Sequence, residues 1–119
     1  MVARIWSGVT RTEDADTYLT YLQRTGLAAY RATPGNRAAF AFRRRVNGGS
    51  EFLLLTLWDS TQAIAAFAGP DPDRAVFYPD DDRFLVERGE RVDHFDVVFA
   101  SGDEVTRTVD ACGTGIGRE

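Results

Sequence analysis

The chain carries a single histidine, His94, and a single cysteine, Cys112, in 119 residues. His94 lies between Asp93 and Phe95, with Asp96 just beyond. Imidazole is the side chain whose unperturbed pKa falls nearest neutrality, so His94 is the first candidate general base or acid. Strand alternation sets it on the face opposite Phe95, together with Asp96 and Val98. The plainer reading is a strand histidine that bonds across a sheet or at a dimer rim. A second candidate set is aromatic: Trp6, Trp58, Phe67, Phe77 and Tyr78. A pocket for a planar ligand uses such side chains, with the Tyr78 hydroxyl or an indole N–H as its few polar contacts. For each of them alone, core filling is the plainer reading. Tyr30 and Arg31, just ahead of a turn, line the pocket mouth in the ligand-binding reading and stand on the surface in the other.

The remaining chemistry is narrow. All 14 basic residues are arginine, which excludes a lysine Schiff base and a phosphate-loop lysine. One cysteine allows no internal disulfide, in keeping with a reducing compartment. One histidine and one cysteine do not make a zinc site of the usual ligands, and no metal is expected. The formal net charge of −4 argues against a nucleic-acid partner. Gly113, Gly115 and Gly117 imitate a nucleotide loop, but no βαβ unit surrounds them. Asp71, Asp73 and Asp80 to Asp82 read as helix-start carboxylates rather than a metal site. Arg43 to Arg45 read as the solvated end of a strand. No apolar run approaches the ~18 residues of a membrane helix, and MVARIWSG lacks the features of a signal peptide. The expectation is a soluble, cytoplasmic protein with no membrane partner.

These residues need elements to position them. Val2 to Val9 is rich in strand formers and predicts a first strand. Thr10 and Glu13 have the spacing of a capping box, and Ala15, Tyr18, Leu19 and Leu22 form one helical stripe ended by Gly26. Leu27 to Tyr30 continues as a further turn, and Thr33-Pro34-Gly35-Asn36 predicts a type II turn. Strands follow over Arg37 to Val46 and Glu51 to Trp58, joined by a hairpin at Asn47-Gly48-Gly49. Asp59 or Ser60 caps a second helix carrying Ile64 and Phe67 and ending near Gly69. Pro72 opens a short helix through Tyr78, and Asp80 to Asp82 begin a last helical turn through Phe84 and Leu85. Arg91 to Ala100 is the final strand. The order predicts an α+β, ferredoxin-like split βαβ fold: a four-stranded antiparallel sheet with helices on one face, over residues 1–100. Residues 101–119, polar and glycine-rich, predict a loosely held tail.

The strands also speak about partners. Phe52, Leu53, Leu54, Leu55, Leu57 and Trp58 make the third strand apolar on both faces, and Phe95, Val97, Val98 and Phe99 do the same for the last. Two helices cover one face only. The other, left bare, would be a larger apolar patch than monomers usually carry. The expectation is a homodimer, sheet against sheet about a two-fold axis.

FLLLTLWDS (52–60), the following AIAAFAG, FYPDDDRFL and VDHFDVVFA together resemble the antibiotic-biosynthesis-monooxygenase domain, over roughly residues 2–100. That resemblance implies a dimeric α+β barrel with a small-molecule pocket between sheet and helices in each subunit. Members include cofactor-free oxygenases of aromatic polyketides and haem-degrading enzymes. The haem degraders carry an asparagine in the first strand, a tryptophan in the second helix and an axial histidine beyond it. This chain has Ser7, Phe67 and Phe77 at those places, which argues against haem breakdown of the family type. The resemblance therefore implies a monooxygenase with no cofactor, acting on an aromatic, polyketide-like small molecule. A substrate carbanion passes an electron directly to dioxygen. On that reading His94 is the expected base, Tyr78 is expected to donate a hydrogen bond to the oxyanion, and Trp6, Ser7, Tyr30, Trp58, Phe67 and Phe77 are expected to hold the ring. The alternatives are a non-catalytic binder of an apolar metabolite, an unusual haem protein, and a cyclase or isomerase.

Overall fold

The computed structural model describes residues 1–102. One antiparallel sheet organises them. β1 (Val2–Thr10) runs through its middle and pairs with β3 (Gly49–Trp58) on one side, and β2 (Asn36–Val46) pairs with β3 at that edge. The other side of β1 is shared by two short strands, β4 (Leu85–Arg88) and β5 (Asp93–Asp96). The sheet is thus four strands wide, in the order β2-β3-β1-β4/β5, the ferredoxin-like arrangement expected. The helices α1 (Ala15–Arg24), α2 (Gly26–Ala32) and α3 (Thr61–Ala68), with the single turn α4 (Asp81–Phe84), complete an α+β fold with helices packed on one face.

Period-two alternation sorts the strand residues between the faces. Toward the helices point Val2, Arg4, Trp6 and Gly8 of β1, opposite Trp58, Thr56, Leu54 and Phe52 of β3. The core gathers there, with Trp58, Tyr18, Phe52 and Ile64 fully buried. Gly8 is part of that packing: a Cβ on it would lie 2.5 Å from the Trp6 ring. The α1 stripe is as the periodicity predicts, with Ala15, Tyr18 and Leu22 buried and Leu19 packed against them. The Ser60 hydroxyl accepts from the Ala63 amide at 3.2 Å to cap α3, which stops at Gly69. The turn before β2 closes through the Asn36 amide on the Thr33 carbonyl at 3.1 Å, with Gly35 at φ 92° as a type II turn requires.

Four local expectations are corrected. Thr10 does not cap a helix; it stays in β1, and its hydroxyl donates to the Arg11 carbonyl while a 3-10 turn, Thr12–Asp14, leads into α1. Gly26 begins α2 instead of ending α1, because the break falls at Thr25 (φ −114°, ψ −96°). No helix spans Pro72 to Tyr78. The Ala75 amide donates to the Glu90 carbonyl and the Val92 amide to the Asp73 carbonyl, so this backbone pairs with a distant segment rather than with itself. The last strand is two pieces, and Leu85, expected in a helical turn, opens the first of them. Among the described residues beyond β5, the Val97 amide continues the pairing by donating to the Met1 carbonyl. Past residue 102 the expected tail, with Cys112 and the glycine run, lies outside the described residues.

Candidate active site

Between the helix face of the sheet and α1, α2 and the segment around Tyr78 lies a cavity of about 20 Å³, room for about one water molecule. Its walls include Arg4 and Trp6 from β1, Tyr18 from α1, Tyr30 from α2, Tyr78, and Asp81 from α4. Strand alternation delivers Arg4 and Trp6 together. Helical spacing delivers Tyr18 beside Leu22, which also lines the cavity. The irregular chain after α3 brings Tyr78 and Asp81, tied by a 2.6 Å bond from the Tyr78 amide to the Asp81 carboxylate.

Burial dominates the electrostatics. It pushes the Tyr18, Tyr30 and Tyr78 phenols above their ordinary pKa, Arg4 opposing the shift at Tyr30 and Tyr78. It raises the Asp81 carboxyl, with the Tyr78 amide and then Arg88 pulling the other way. It lowers Arg4, against the influence of the Tyr30 hydroxyl. The Arg4 guanidinium donates to the Arg74 carbonyl at 3.1 Å and sits 5.4 Å from the centre of the Phe67 ring. Trp6 has its indole N–H on the Gly89 carbonyl at 2.7 Å, which fixes the ring against the cavity.

Of the residues singled out from the sequence, Trp6, Tyr30 and Tyr78 meet at this cavity. Trp58 and Phe67 stand one ring behind, 6.2 and 4.7 Å from Tyr30 between centroids. Phe77 lies under the Arg88 guanidinium at 4.2 Å. Ser7 is on the opposite face of the sheet, in an open groove with Phe42 and Leu53. His94 lies on the helix face of the sheet, pairing in register with Arg4. Its Nδ1 lies 3.0 Å from Asp73, its Nε2 is buried without a partner, and it is not part of the cavity wall. Arg4, Tyr18 and Asp81 were not anticipated. Arg4 had a readable signal, since a charge in phase with Val2, Trp6 and Gly8 must share their burial. Asp81 had none, being the middle of three consecutive aspartates.

No protein-family model matches the chain, and no curated protein does either. Solved structures do. The chain has the fold of the antibiotic-biosynthesis-monooxygenase-like proteins. Rv0793 from Mycobacterium tuberculosis is 22% identical with a TM-score of 0.55, covering 85% of this chain and 98% of that one. The heme-degrader MhuD from the same organism, with two hemes in its active site, is 23% identical with a TM-score of 0.52, over 86% and 100%. A putative antibiotic biosynthesis monooxygenase from Bacillus cereus is 14% identical with a TM-score of 0.52, over 86% and 97%.

The cavity here does not fit a haem. Its walls hold no imidazole, thiol or thioether, and its phenols are held protonated by burial, so they offer no axial ligand for the iron. Among the described residues no three His, Cys, Asp or Glu side chains group to hold a metal, and no helix is long and apolar enough to cross a membrane.

Proposed function

We propose that the chain is a cofactor-free monooxygenase of an aromatic small molecule bearing an acidic phenol, enol or anthrone-like carbon. The observation that carries this reading is Asp81: a buried carboxyl, its pKa raised by desolvation, on the wall of a cavity that it shares with an indole, three phenols and Arg4. The substrate gives its proton to the Asp81 carboxylate and becomes an anion. The anion passes one electron to dioxygen, and the resulting radical pair joins as a carbon–oxygen bond to a peroxide. Protonation of that peroxide and loss of water leave a carbonyl, so one dioxygen gives one new C=O and one water. Trp6 and Tyr30 hold the ring, and the Tyr78 hydroxyl donates to the developing oxyanion. The irregular segment 69–80, which supplies Tyr78 and Val76, must move outward to admit a ring into so small a space.

His94 is the other candidate base, and paired variants separate it from Asp81. In an oxygen electrode with small phenols and anthrones, Asp81→Asn should lower turnover by about 100-fold or more, while His94→Ala leaves it near wild type. The reverse result moves the base to His94. No uptake by the wild-type protein on any of them removes the oxygenase reading. The second reading is binding without turnover, for which ligand is retained and no oxygen is consumed.

A second copy of the chain is the proposed cover for the open face of the sheet, where Phe40, Phe42 and Phe95 are 39, 51 and 55% exposed. Leu55 and Leu53 pair with Phe40 and Phe42 in register, Ile5 pairs with Leu55, and Phe95 pairs with Ala3. Sedimentation at micromolar concentration tests it; a monomer at all concentrations removes it.

A further inference from the structure

Arg4 is the odd residue of the core. It stands in the central strand with only 2% of its surface exposed, between Val2 and Trp6 on the helix face. A buried guanidinium ordinarily sits against a carboxylate, because an unpaired charge taken from water costs several kcal/mol. Among the described residues Arg4 has no such partner: every ion pair there belongs to other arginines or to His94. The carboxylate nearest in influence, Asp73, is engaged by His94 at 3.0 Å and lies 3.9 Å from Arg91. Asp81 shares the cavity, but the cation that bears on it is Arg88. Arg4 Nε is buried with no acceptor at all. Its fixed contacts are a neutral carbonyl, a phenol and the Phe67 ring.

We infer that Arg4 is the anion-binding and specificity-determining residue of this cavity, and that its ligand is an aryl oxyanion, a phenolate or an arenecarboxylate, whose charged oxygen completes the guanidinium's coordination. This rests on the reading of the cavity as the substrate site and narrows its substrate class to aromatic molecules that bind as anions. A bound oxyanion accepts from Nε and an adjacent N–H, the fork that arginine presents to planar oxygen groups. Its ring lies among Trp6, Tyr30 and Tyr78. A neutral phenol that enters gives its proton to Asp81 and leaves its oxygen on Arg4, so no net charge is added to the core.

Three probes of matched size test this on the intact protein: para-nitrophenol, para-nitrobenzoate and the neutral para-nitroanisole, followed by absorbance and titration calorimetry at a pH where the first two are ionised. The wild-type chain should bind at least one anion about 10–100-fold more tightly than the anisole, the range of a charge-assisted hydrogen bond. Phenolate preferred over benzoate assigns the phenolate, and the opposite assigns the carboxylate. Arg4→Met should bind the anions and the anisole alike, and Arg4→Lys should recover part of the preference. Equal wild-type affinity for anion and anisole, or no binding of any probe, overturns the inference without depending on a folded variant. Oxygen uptake is read separately. Anion preference with no uptake leaves Arg4 assigned and removes the oxygenase; uptake without anion preference does the opposite.

Discussion

The two faces of one sheet solve opposite problems. Toward the helices, β1 and β3 place Arg4, Trp6, Leu54 and Trp58 under a complete cover, and the space left among them is small and polar-edged. On the other face the same strands present Ile5, Leu53 and Leu55, with Phe40 and Phe42 of β2 stacked at 5.9 Å between ring centroids and still half in water. A charge is buried where cover is plentiful, and large apolar groups are exposed where it is missing. In folding energy the helix face therefore carries the monomer. The open face leaves its apolar area uncovered, and that area is what the proposed second copy would bury.

The largest effect should separate the faces directly. Trp58 is wholly buried and touches the Tyr30 and Phe67 rings, so Trp58→Ala should lower unfolding free energy by about 3–5 kcal/mol. Phe95→Ala, at an exposed ring, should cost less than about 0.5 kcal/mol in dilute protein. Urea melts of the two variants at low concentration make the test. Similar losses would mean that the open face already carries folding energy and the contrast is false.

The next effect belongs to the open face. Phe42 has about half of its surface left to bury, worth roughly 0.75–1.5 kcal/mol per copy, and a two-fold interface counts it twice. Phe42→Asp should weaken dimerisation by about 1.5–3 kcal/mol with little change in the monomer's melting. Sedimentation equilibrium reads the dissociation constant, and an unchanged value would take Phe42 out of the interface. A smaller loss, about 1 kcal/mol, is expected for Ser60→Ala, which removes the α3 cap, checked by thermal melts.

How much of this was legible depended on which residues signal their surroundings. The faces were, because alternation in β1 and the two-sided run Phe52 to Trp58 leave one arrangement. The turns at Gly35 and Gly48 were, since their positive φ angles need glycine. The segment from Pro72 to Tyr78 was not: its local preferences favoured a helix, and hydrogen bonds to Glu90 and Val92, both remote in sequence, prevailed. For the candidate site, the aromatic walls Trp6, Tyr30 and Tyr78 stood out by type. Charged residues read by default as solvated, so Arg4 and Asp81 passed unnoticed, although Arg4 broke an apolar alternation.

Asp81 supplies the smallest expected effect, and its sign sharpens the contrast between the faces. Burial raises its folded-state pKa above the unfolded value of 3.8. The folded chain then holds the proton more tightly than the unfolded chain. The resulting stabilisation is complete below the unfolded pKa and is lost as pH rises through the raised folded value. Above that raised value the wild-type protein keeps an ionised carboxylate in a site that disfavours it. Asp81→Asn retains an oxygen to accept the Tyr78 amide proton and cannot ionise. Its stability relative to wild type should therefore improve in a series of urea melts as pH rises from the unfolded value through the raised folded one. Parallel curves for Asp81→Asn and wild type would mean that the carboxyl ionises freely where it stands. The cavity would then lack the tuned base on which the oxygenase reading depends.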